Sequence, residues 1–333
     1  DIEGESISLY EAFNEQDEAR FIVERLQTWL NTGNRLSDSA ILYRSNAQSR
    51  EMEDALLRVG MPYRIYGGHR FYERLEIKNA LAYLRLLINR HDDTAIERII
   101  NIPTRGIGDQ TLEILRGIAR TEELSLWAAV QKCLSHGLLA ARAATAVMRF
   151  VELIDALDDG SMALPLAKKV EHIISNSGLV PHHEKEGGEK AAARIENLQE
   201  LVNAAGSFDE LDPDAEAMDV ESRAFLAAFL DQASLDAGEG QASETEDAVQ
   251  LMTLHSAKGL EFKQVFLAGM EEGLFPHKMS MDGLAGLEEE RRLCYVGITR
   301  AMSKLYLTHA ESRRLHGEVN ITRPSRFIRE IPS

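Results

Sequence analysis

The segment with the clearest chemical content is residues 288–301, EEERRLCYVGITRA. Its apolar positions follow the i, i+3, i+4, i+8 spacing of one helix face, which predicts a helix over this run. These positions are Leu293, Val296, Gly297 and Ala301. Arg300, near the end, is permanently charged and presents a planar fork of N–H donors that matches phosphate oxygens. Such an arginine can stabilise a phosphoryl group during transfer, although a surface helix of mixed charge has the same pattern.

A second segment with chemical content is residues 253–262, TLHSAKGLEF, which directly follow a predicted strand. In open α/β sheets, ligands bind beyond the carboxyl ends of the strands. His255, Lys258 and Glu261 would lie on that rim. The spacing is equally compatible with an ordinary strand-to-helix connection, so both interpretations stay open on the pattern alone.

A third segment is residues 103–109, PTRGIGD, just before a helix predicted to begin near Gln110. Glycine lets the backbone approach a phosphate closely, and the amides at a helix N-terminus favour anions. We interpret Gly106, Ile107 and Gly108 as part of a clamp that holds a duplex backbone without regard to sequence. A helix–helix turn that needs glycine backbone angles is the competing interpretation.

Most standard catalytic devices are absent from the sequence. It contains no GxxxxGK[ST] phosphate loop, and the acidic pair at 17–18 opens a predicted helix instead of ending a strand, which disfavours a Mg²⁺ site there. His182 and His183 have no further histidine or carboxylate at a convincing ligand spacing, so a solvated loop is favoured. With only two cysteines, no metal site is predicted.

The predicted elements divide the chain into three parts. Strands are predicted at 6–13, 40–43, 63–66, 249–253, 265–268 and 304–307. Helices are predicted at 15–32 and, with Asn46 as a cap, at 46–60, and helical periodicity then fills 74–235. Strand, helix, strand at this spacing predicts a parallel sheet. We therefore expect one α/β domain made from both chain ends, with an all-helical domain inserted between them.

The charge of the chain is unevenly distributed. The 333 residues have a net charge of −17, which superficially argues against nucleic-acid binding. Residues 209–247 hold thirteen acidic residues and one arginine, so they account for −12 of that charge, and parts of this stretch are predicted to be mobile around one short helix. Binding depends on the local field, so overall acidity does not exclude a DNA groove. Local basic clusters remain, such as Arg44, Arg50, Arg64 and Arg70.

Composition also bears on location. No apolar run approaches the roughly 18 residues of a membrane-spanning helix, no N-terminal signal is visible, and the few cysteines favour a reducing cytoplasm. The sequence opens on Asp1 rather than Met, which we interpret as a sign of an excised fragment.

Several long motifs resemble those of one family, in the same order. VQLMTLHSAKGLEF at 249–262, followed by LEEERRLCYVGITRA at 287–301, is the signature pair of superfamily 1 DNA helicases of the UvrD/Rep/PcrA type. Further motifs that resemble this family are ILYRSNAQSR at 41–50, YRIYGGHRFYER at 63–74, PTRGIGD at 103–109 and GMEEGLFP at 269–276. The likeness covers essentially the whole chain and is weakest between about 160 and 245.

The resemblance implies the C-terminal part of a helicase motor. In this family two RecA-like domains hold ATP between them, and the phosphate loop and Mg²⁺ ligands precede the region matched here. The chain would supply a RecA-like domain called 2A, from residues 1–72 and 246–333, and an inserted helical domain called 2B, from residues 73–245. N-terminal domains called 1A and 1B would supply the rest of the ATP site.

The resemblance also implies roles for individual residues. Arg300 matches the arginine that reaches the γ-phosphate, and Glu261, with Gly259 in the same segment, matches the nucleotide-binding part of the family motif. Positions that match contacts to the single-strand backbone are Arg44, Asn46, Arg50, Arg70, Thr253 and His255. Residues 106–109 match a loop that contacts the duplex. His316 stands where relatives often have an aromatic residue that stacks on a base, and histidine buries less area in such a contact.

The implied activity is ATP-driven translocation from 3′ to 5′ on DNA, in repair and replication in the bacterial cytoplasm. The cofactor would be ATP with Mg²⁺, whose ligands lie outside this chain. The partners would be single-stranded DNA, a single-strand/duplex junction, domains 1A and 1B, and repair proteins bound through 2B. Two alternatives are a DNA- or protein-binding regulatory module without catalysis and a helicase–nuclease subunit, and the second is disfavoured because no carboxylate cluster appears near the C-terminus.

Overall fold

The computed structural model describes residues 4–209, 221–238, 241–243, 245–281 and 283–331. The strands are β1 (Ser8–Ala12), β2 (Ser39–Tyr43), β3 (Tyr63–Ile65), β4 (Val249–Thr253), β5 (Phe262–Leu267), β6 (Ala301–Ala310), β7 (Ser312–Leu315) and β8 (Glu318–Ile321). The first helices are α1 (Glu15–Asn31), α2 (Ser49–Arg58), α3 (Leu75–Ile88), α4 (Asp93–Ile99), α5 (Asp109–Thr121), α6 (Leu126–Ser135) and α7 (Ala141–Ser161). The remaining helices are α8 (Leu166–Asn176), α9 (Leu179–Glu186), α10 (Gly188–Asp209), α11 (Glu221–Gly238), α12 (Leu284–Ile298) and α13 (Arg326–Arg329).

The chain forms two compact units, one from Asp1–Phe71 with Asp236–Ser333 and one from Tyr72–Leu235. The first unit contains a six-stranded sheet in the order β1-β6-β5-β2-β4-β3, and every neighbouring pair is parallel. Its strands come from both ends of the chain, as expected of an α/β, RecA-like domain. The predicted fold class is therefore confirmed, whereas the predicted domain boundaries at 72 and 245 stay predictions.

Both faces of strands β2, β4 and β5 are largely buried, which explains why these strands are nearly continuous apolar runs, whereas the edge strand β1 is mostly exposed. Successive side chains of a strand point to opposite faces. In β2, Ile41 and Tyr43 pack into the core that α1 and α2 cover. Ala40 and Leu42 pack into the opposite core, which includes Leu293 of α12. The central position of β2 places its carboxyl end in the middle of one sheet edge.

The second unit is helical throughout its described residues, as predicted. Helix α3 buries Ile77, Leu81, Leu84 and Leu87 at helical spacing. Helix α5 buries Leu115 and Ala119, which are four residues apart on one face of the helix. None of the described helices is long and apolar enough to cross a membrane.

Three local predictions are wrong. Asn46 does not cap α2, because it begins a 3₁₀ turn, Asn46–Gln48, that Ser45 caps through a capping box with Gln48; α2 follows at Ser49 without a side-chain cap. Residues 288–301 are not one helix, because α12 ends at Ile298 and Ala301 begins β6. The amide of Phe262 donates to the carbonyl of Arg300 at 2.9 Å, which draws this part of the chain into the sheet.

The third wrong prediction is the loop at His182 and His183, which lie in helix α9. The hairpin of β7 and β8 was not anticipated either. Its strands are half-buried to exposed; β7 lacks the alternation of polar and apolar residues that predicts a strand, and in β8 the alternation covers only four residues. The predicted mobile parts of the acidic stretch fall partly on residues 210–220, which lie outside the described residues.

Candidate nucleotide and nucleic-acid site

Helix α12 packs unusually close to the sheet. A Cβ added to Gly297 would lie 2.5 Å from Cδ2 of Leu254 and 2.9 Å from Cδ1 of Leu267. Both leucines are fully buried in the apolar core on this side of the sheet. Glycine at position 297 therefore allows the end of α12 to contact the turn after β4, which includes Leu254.

Arg300 lies between α12 and β6, and its guanidinium is fixed by the protein. Nε donates to the carbonyl of Val296 at 2.9 Å, and Nη1 donates to the carbonyl of Leu260 at 2.8 Å. Nη2 donates to the hydroxyl of Thr299 at 3.0 Å. An arginine has five N–H donors, and contacts with the described residues use three of them, so two are left for an oxygen outside the chain. The side chain is thus tied to the turn at residues 254–260 and still able to bind an anion.

The turn after β4 presents polar side chains at the carboxyl end of the sheet. Thr253 ends β4, and its hydroxyl lies 3.0 Å from that of Ser256. His255 and Glu261 are exposed. Gly259 has a φ of +87°, a conformation that favours glycine. The connection leads to strand β5 and not to a helix, so the strand-to-helix alternative is wrong.

Two predicted DNA-binding segments meet at this edge through the register of the sheet. Tyr43 of β2 pairs with Thr253 of β4, and the amide of Leu254 donates to the carbonyl of Tyr43 at 2.9 Å. Arg44 therefore follows β2 beside the turn that holds His255. Asn46 is exposed two residues further along. The structure thus brings residues from two distant motifs to one rim, as expected of an open α/β sheet.

Arg44 is held by a glutamate on α12. Its Nε lies 3.0 Å from both carboxylate oxygens of Glu290, and its Nη2 donates to Oε1 at 2.8 Å. The same carboxylate accepts from the amide of His277 at 2.9 Å and from the hydroxyl of Ser280 at 3.2 Å. Sequence reasoning missed Glu290, because nothing in a run of three glutamates distinguishes the one that turns inward.

Arg50 and Arg70, also predicted to contact DNA, are almost fully buried. Arg50 donates to Asp54 at 2.8 Å and to Glu51 at 2.5 Å. Arg70 donates from Nε to the hydroxyl of Tyr63 at 2.6 Å. Burial raises the pKa of Asp54 to about 7, despite the opposing effect of Arg50. These arginines therefore bind internal groups in this structure.

Arg64, the remaining member of the basic cluster expected from sequence, donates to the carbonyl of Ser243. The cluster is therefore not an open basic patch in this structure, because each of its arginines already has an acceptor inside the chain. Spacing could have suggested the pair of Arg50 and Asp54, which are four residues apart on a helix. It could not have suggested a pairing between Arg44 and a residue 246 positions away.

The glycine loop before α5 lies in the helical unit. Gly106 has a φ of +81°, and Gly108 caps α5 without a side-chain hydrogen bond. Ile107 is fully buried, and its amide donates to Oδ1 of Asn101 at 3.3 Å, so this residue does not present a group to a ligand in this structure. Helix α5 begins at Asp109, one residue before the predicted start. The amides at the start of α5 are the part of the loop that suits an anion.

Arg105, which sequence reasoning did not select, supports this loop from inside. Nη1 donates to the carbonyls of Ile99 at 2.9 Å and Pro103 at 3.2 Å. Nη2 donates to the carbonyl of Ser177 at 3.2 Å and to the hydroxyl of Tyr83. A basic residue of the motif therefore holds the loop instead of facing outward.

His316 occupies the tip of the β7–β8 hairpin, exposed and with a φ of +56°. The hairpin is anchored by Arg313, whose Nη2 lies 2.6 Å from carboxylate oxygens of Glu18 and Glu271. Both glutamates are fully buried. Burial would raise the pKa of Glu18, but Arg313 and further hydrogen bonds lower it below its usual value.

His182 and His183 do have a carboxylate nearby, contrary to the expectation from sequence. Glu186 lies 3.7 Å from Nε2 of His182 and 3.4 Å from Nδ1 of His183. Burial lowers the pKa of His183, which keeps its ring neutral. Glu186 also forms an ion pair with Arg194, so the carboxylate already has a cationic partner.

Comparison with known proteins identifies the family of the chain. A model of the UvrD-like helicase C-terminal domain matches residues 1–312. The chain therefore belongs to this family of α/β helicase domains. The relatives that it resembles are whole DNA helicases.

DNA helicase II of Salmonella typhimurium is 58% identical over 331 residues, which is 99% of this chain and 45% of that protein. DNA helicase II of Escherichia coli is 58% identical over 330 residues, with the same coverage. ATP-dependent DNA helicase PcrA of Bacillus subtilis is 43% identical over 331 residues, which is 99% of this chain and 44% of that protein. The chain thus spans less than half the length of these relatives.

Proposed function

We propose that this chain is the C-terminal half of an ATP-dependent DNA helicase that moves from 3′ to 5′ along one strand. The observation that carries the proposal is the connection of Arg300 to the turn beside Arg44 at one rim of the sheet. The relatives are named as DNA helicases, one of them as ATP-dependent, which supports the same function. The proposed setting is DNA repair and replication in the bacterial cytoplasm.

The nucleotide side of the proposal rests on Arg300, Glu261 and Gly259. Bound ATP with Mg²⁺ would supply the transferable phosphoryl group. Arg300 keeps two N–H donors for a phosphate oxygen, and exposed Glu261 follows the turn to which Arg300 is bonded. These residues fit half of a nucleotide site, and the proposed N-terminal domains 1A and 1B would supply the phosphate cradle and the Mg²⁺ ligands.

The nucleic-acid side rests on groups suited to phosphates. Thr253, His255, Arg44 and Asn46 would hold the backbone of single-stranded DNA without sequence preference. Gly106 and its neighbours would contact the duplex at a junction, and His316 would stack on a base. The buried side chains of Arg50 and Arg70 remain proposed contacts. Each guanidinium must break its hydrogen bonds to groups inside the protein before it can reach a phosphate.

The movement would start from Arg300. When its guanidinium binds a phosphate oxygen on the facing domain, α12 and the turn at 254–260 move with it, because hydrogen bonds join them. The backbone contacts on this sheet edge would then shift relative to those on the facing domain. The helical domain would in addition bind partner proteins, including repair proteins.

The proposal predicts that this chain alone does not hydrolyse ATP, because Arg300 supplies transition-state charge but no cradle for the phosphates. The purified chain would be assayed for phosphate release with and without an oligo(dT) strand, beside the full-length protein. We expect no DNA-stimulated turnover from the chain and clear stimulation of the full-length protein. DNA-stimulated turnover by the chain alone would contradict the assignment of half a site.

A further inference from the structure

We propose that Glu290 is a positioning residue that orients Arg44 toward the DNA backbone and joins this contact to helix α12. The inference rests on the proposed function, since it concerns the single-strand contact of that function. It adds a residue that the motif resemblance did not select.

The carboxylate of Glu290 is buried against Arg44. Glu290 is 3% exposed, so its carboxylate faces the protein. It lies against the Nε edge of Arg44, where Nε and Nη2 both donate to it. Such a paired contact fixes the plane of a guanidinium and not only its position. Glu290 therefore sets the direction in which the rest of Arg44 points.

Arg44 keeps a guanidinium nitrogen that Glu290 does not occupy. Among the residues that the structure describes, no acceptor meets Nη1, because the donors used are on Nε and Nη2. The side chain is 21% exposed, so solvent reaches part of it. A phosphate that binds at Nη1 would meet a guanidinium that is already oriented, which lowers the entropic cost of binding.

The charge of Glu290 suits it to hold a cation. Burial would raise the pKa of its carboxyl group, but the hydrogen bonds from Arg44 and from the amide of His277 lower it below the usual value. The group is therefore a carboxylate at neutral pH, and it can hold a cation. The donors from His277 and Ser280 fix the carboxylate itself, so it is a rigid support.

Glu290 lies on the helix that leads to Arg300. The helix carries Glu290 in its middle, Gly297 near its end and Arg300 just beyond. Gly297 keeps the helix in close contact with the turn after β4. At about 1.5 Å per residue, the eight residues from Glu290 to the end of the helix at Ile298 span roughly 12 Å, and Arg300 follows two residues later. One rigid helix thus connects the proposed γ-phosphate contact to the support of a proposed DNA contact.

The test uses Glu290→Gln in the full-length helicase, which keeps the shape and removes the charge. We expect the affinity for fluorescein-labelled oligo(dT) to fall about tenfold, the effect of one weakened charge-assisted contact. The slope of log affinity against log salt should become shallower by about 0.7, as expected for one phosphate contact fewer on a single strand. Half-maximal ATPase stimulation should need about tenfold more oligo(dT), while kcat at saturating DNA stays within about twofold.

The matched control is Glu289→Gln, one position earlier on the same helix, where the side chain is 67% exposed and pairs with Arg292. It makes the same charge change and should leave the affinity and the salt slope unchanged. In an Arg44→Ala background, Glu290→Gln should have no further effect on DNA affinity, because the group that it positions is gone. Additive losses, or an unchanged salt slope in Glu290→Gln alone, would overturn the inference.

A second variant keeps the test decisive if Glu290→Gln does not fold. Arg44→Lys retains the charge but cannot pair through two donors in one plane, so we expect a loss of affinity close to that of Arg44→Ala. Binding as tight as that of the unaltered protein would overturn the inference. If Arg44→Ala itself binds oligo(dT) normally, the proposed single-strand contact at Arg44 fails, whereas a loss in Arg44→Ala without one in Glu290→Gln refutes only the positioning role.

Discussion

At the scale of single residues, Arg300 connects the proposed phosphate contact to helix α12 and to the turn after β4. Its three internal hydrogen bonds are made with Val296, Leu260 and Thr299, so its position depends on α12 and on the turn after β4 at once. An exposed arginine on the same helix lacks this support. Arg292, for example, is 75% exposed and pairs only with Glu289 among the described residues.

Replacing Arg300 by alanine in the full-length enzyme should reduce ATP turnover by roughly 10³-fold, by analogy with other arginine fingers. The physical reason is the loss of positive charge at the transferred phosphoryl group. Steady-state phosphate release at saturating oligo(dT) measures the effect, with Arg292→Ala as the control that removes the same charge from the same segment. Nearly normal turnover in Arg300→Ala, or an equal loss in both variants, would mean that Arg300 is not the finger.

Sequence alone indicated the residue types of this site but not their partners. The charge and the position of Arg300 were visible in the motif, whereas its bond to the carbonyl of Leu260 depends on two segments that only the sheet brings together. The same holds for Glu290, which looked identical to its two neighbours. The burial of Ile107 could not be predicted from sequence either. A single apolar residue between two glycines has no periodicity that shows which way its side chain points.

At the scale of elements, prediction succeeded where burial imposes a pattern. Strand β4 was placed at its observed residues, Val249–Thr253, because a strand buried on both faces is a short apolar run. The β7–β8 hairpin was missed because it is held by ionic anchoring at Arg313 and not by an apolar face. Its support comes from two glutamates, Glu18 and Glu271, that lie far away in sequence.

Replacing Arg313 by methionine should lower the free energy of unfolding by about 3–5 kcal/mol at pH 8, because two buried carboxylates lose their cation. In the unaltered protein the pKa of Glu18 is below its usual value, so its stabilising effect is present above the unfolded pKa and is lost as the pH falls. In the variant, burial instead raises this pKa, so stability falls as the pH rises. The difference between the two proteins should therefore be smaller at pH 5 than at pH 8.

Urea unfolding at the two pH values measures this difference. Arg292→Met is the control, since its exposed ion pair should contribute less than about 1 kcal/mol at either pH. A loss in Arg313→Met that is equal at pH 5 and pH 8 would show that the carboxylates are not left charged and buried. A loss no greater than that of the control would show that the hairpin is anchored by other contacts.

At the scale of the whole molecule, net charge and proposed DNA binding have to be reconciled. The chain is acidic overall, and most of the excess lies in residues 209–247. The proposed contacts use backbone amides, hydroxyls and a few oriented arginines instead of a broad basic surface. Binding of this kind is local, so it tolerates an acidic chain, but it depends strongly on backbone conformation at the glycine loop before α5.

Replacing Gly106 by valine tests that dependence, because a φ of +81° is strained for any β-branched residue. In the full-length protein we expect about tenfold weaker binding to a single-strand/duplex junction and unchanged binding to oligo(dT), measured by fluorescence anisotropy over a series of salt concentrations. Gly137→Val is the matched control, since Gly137 has a φ of +64° in the same unit and, like Gly106, has open space around it. Equal junction affinities in the two variants would remove the duplex contact from the glycine loop and would favour a protein-docking role for the helical unit.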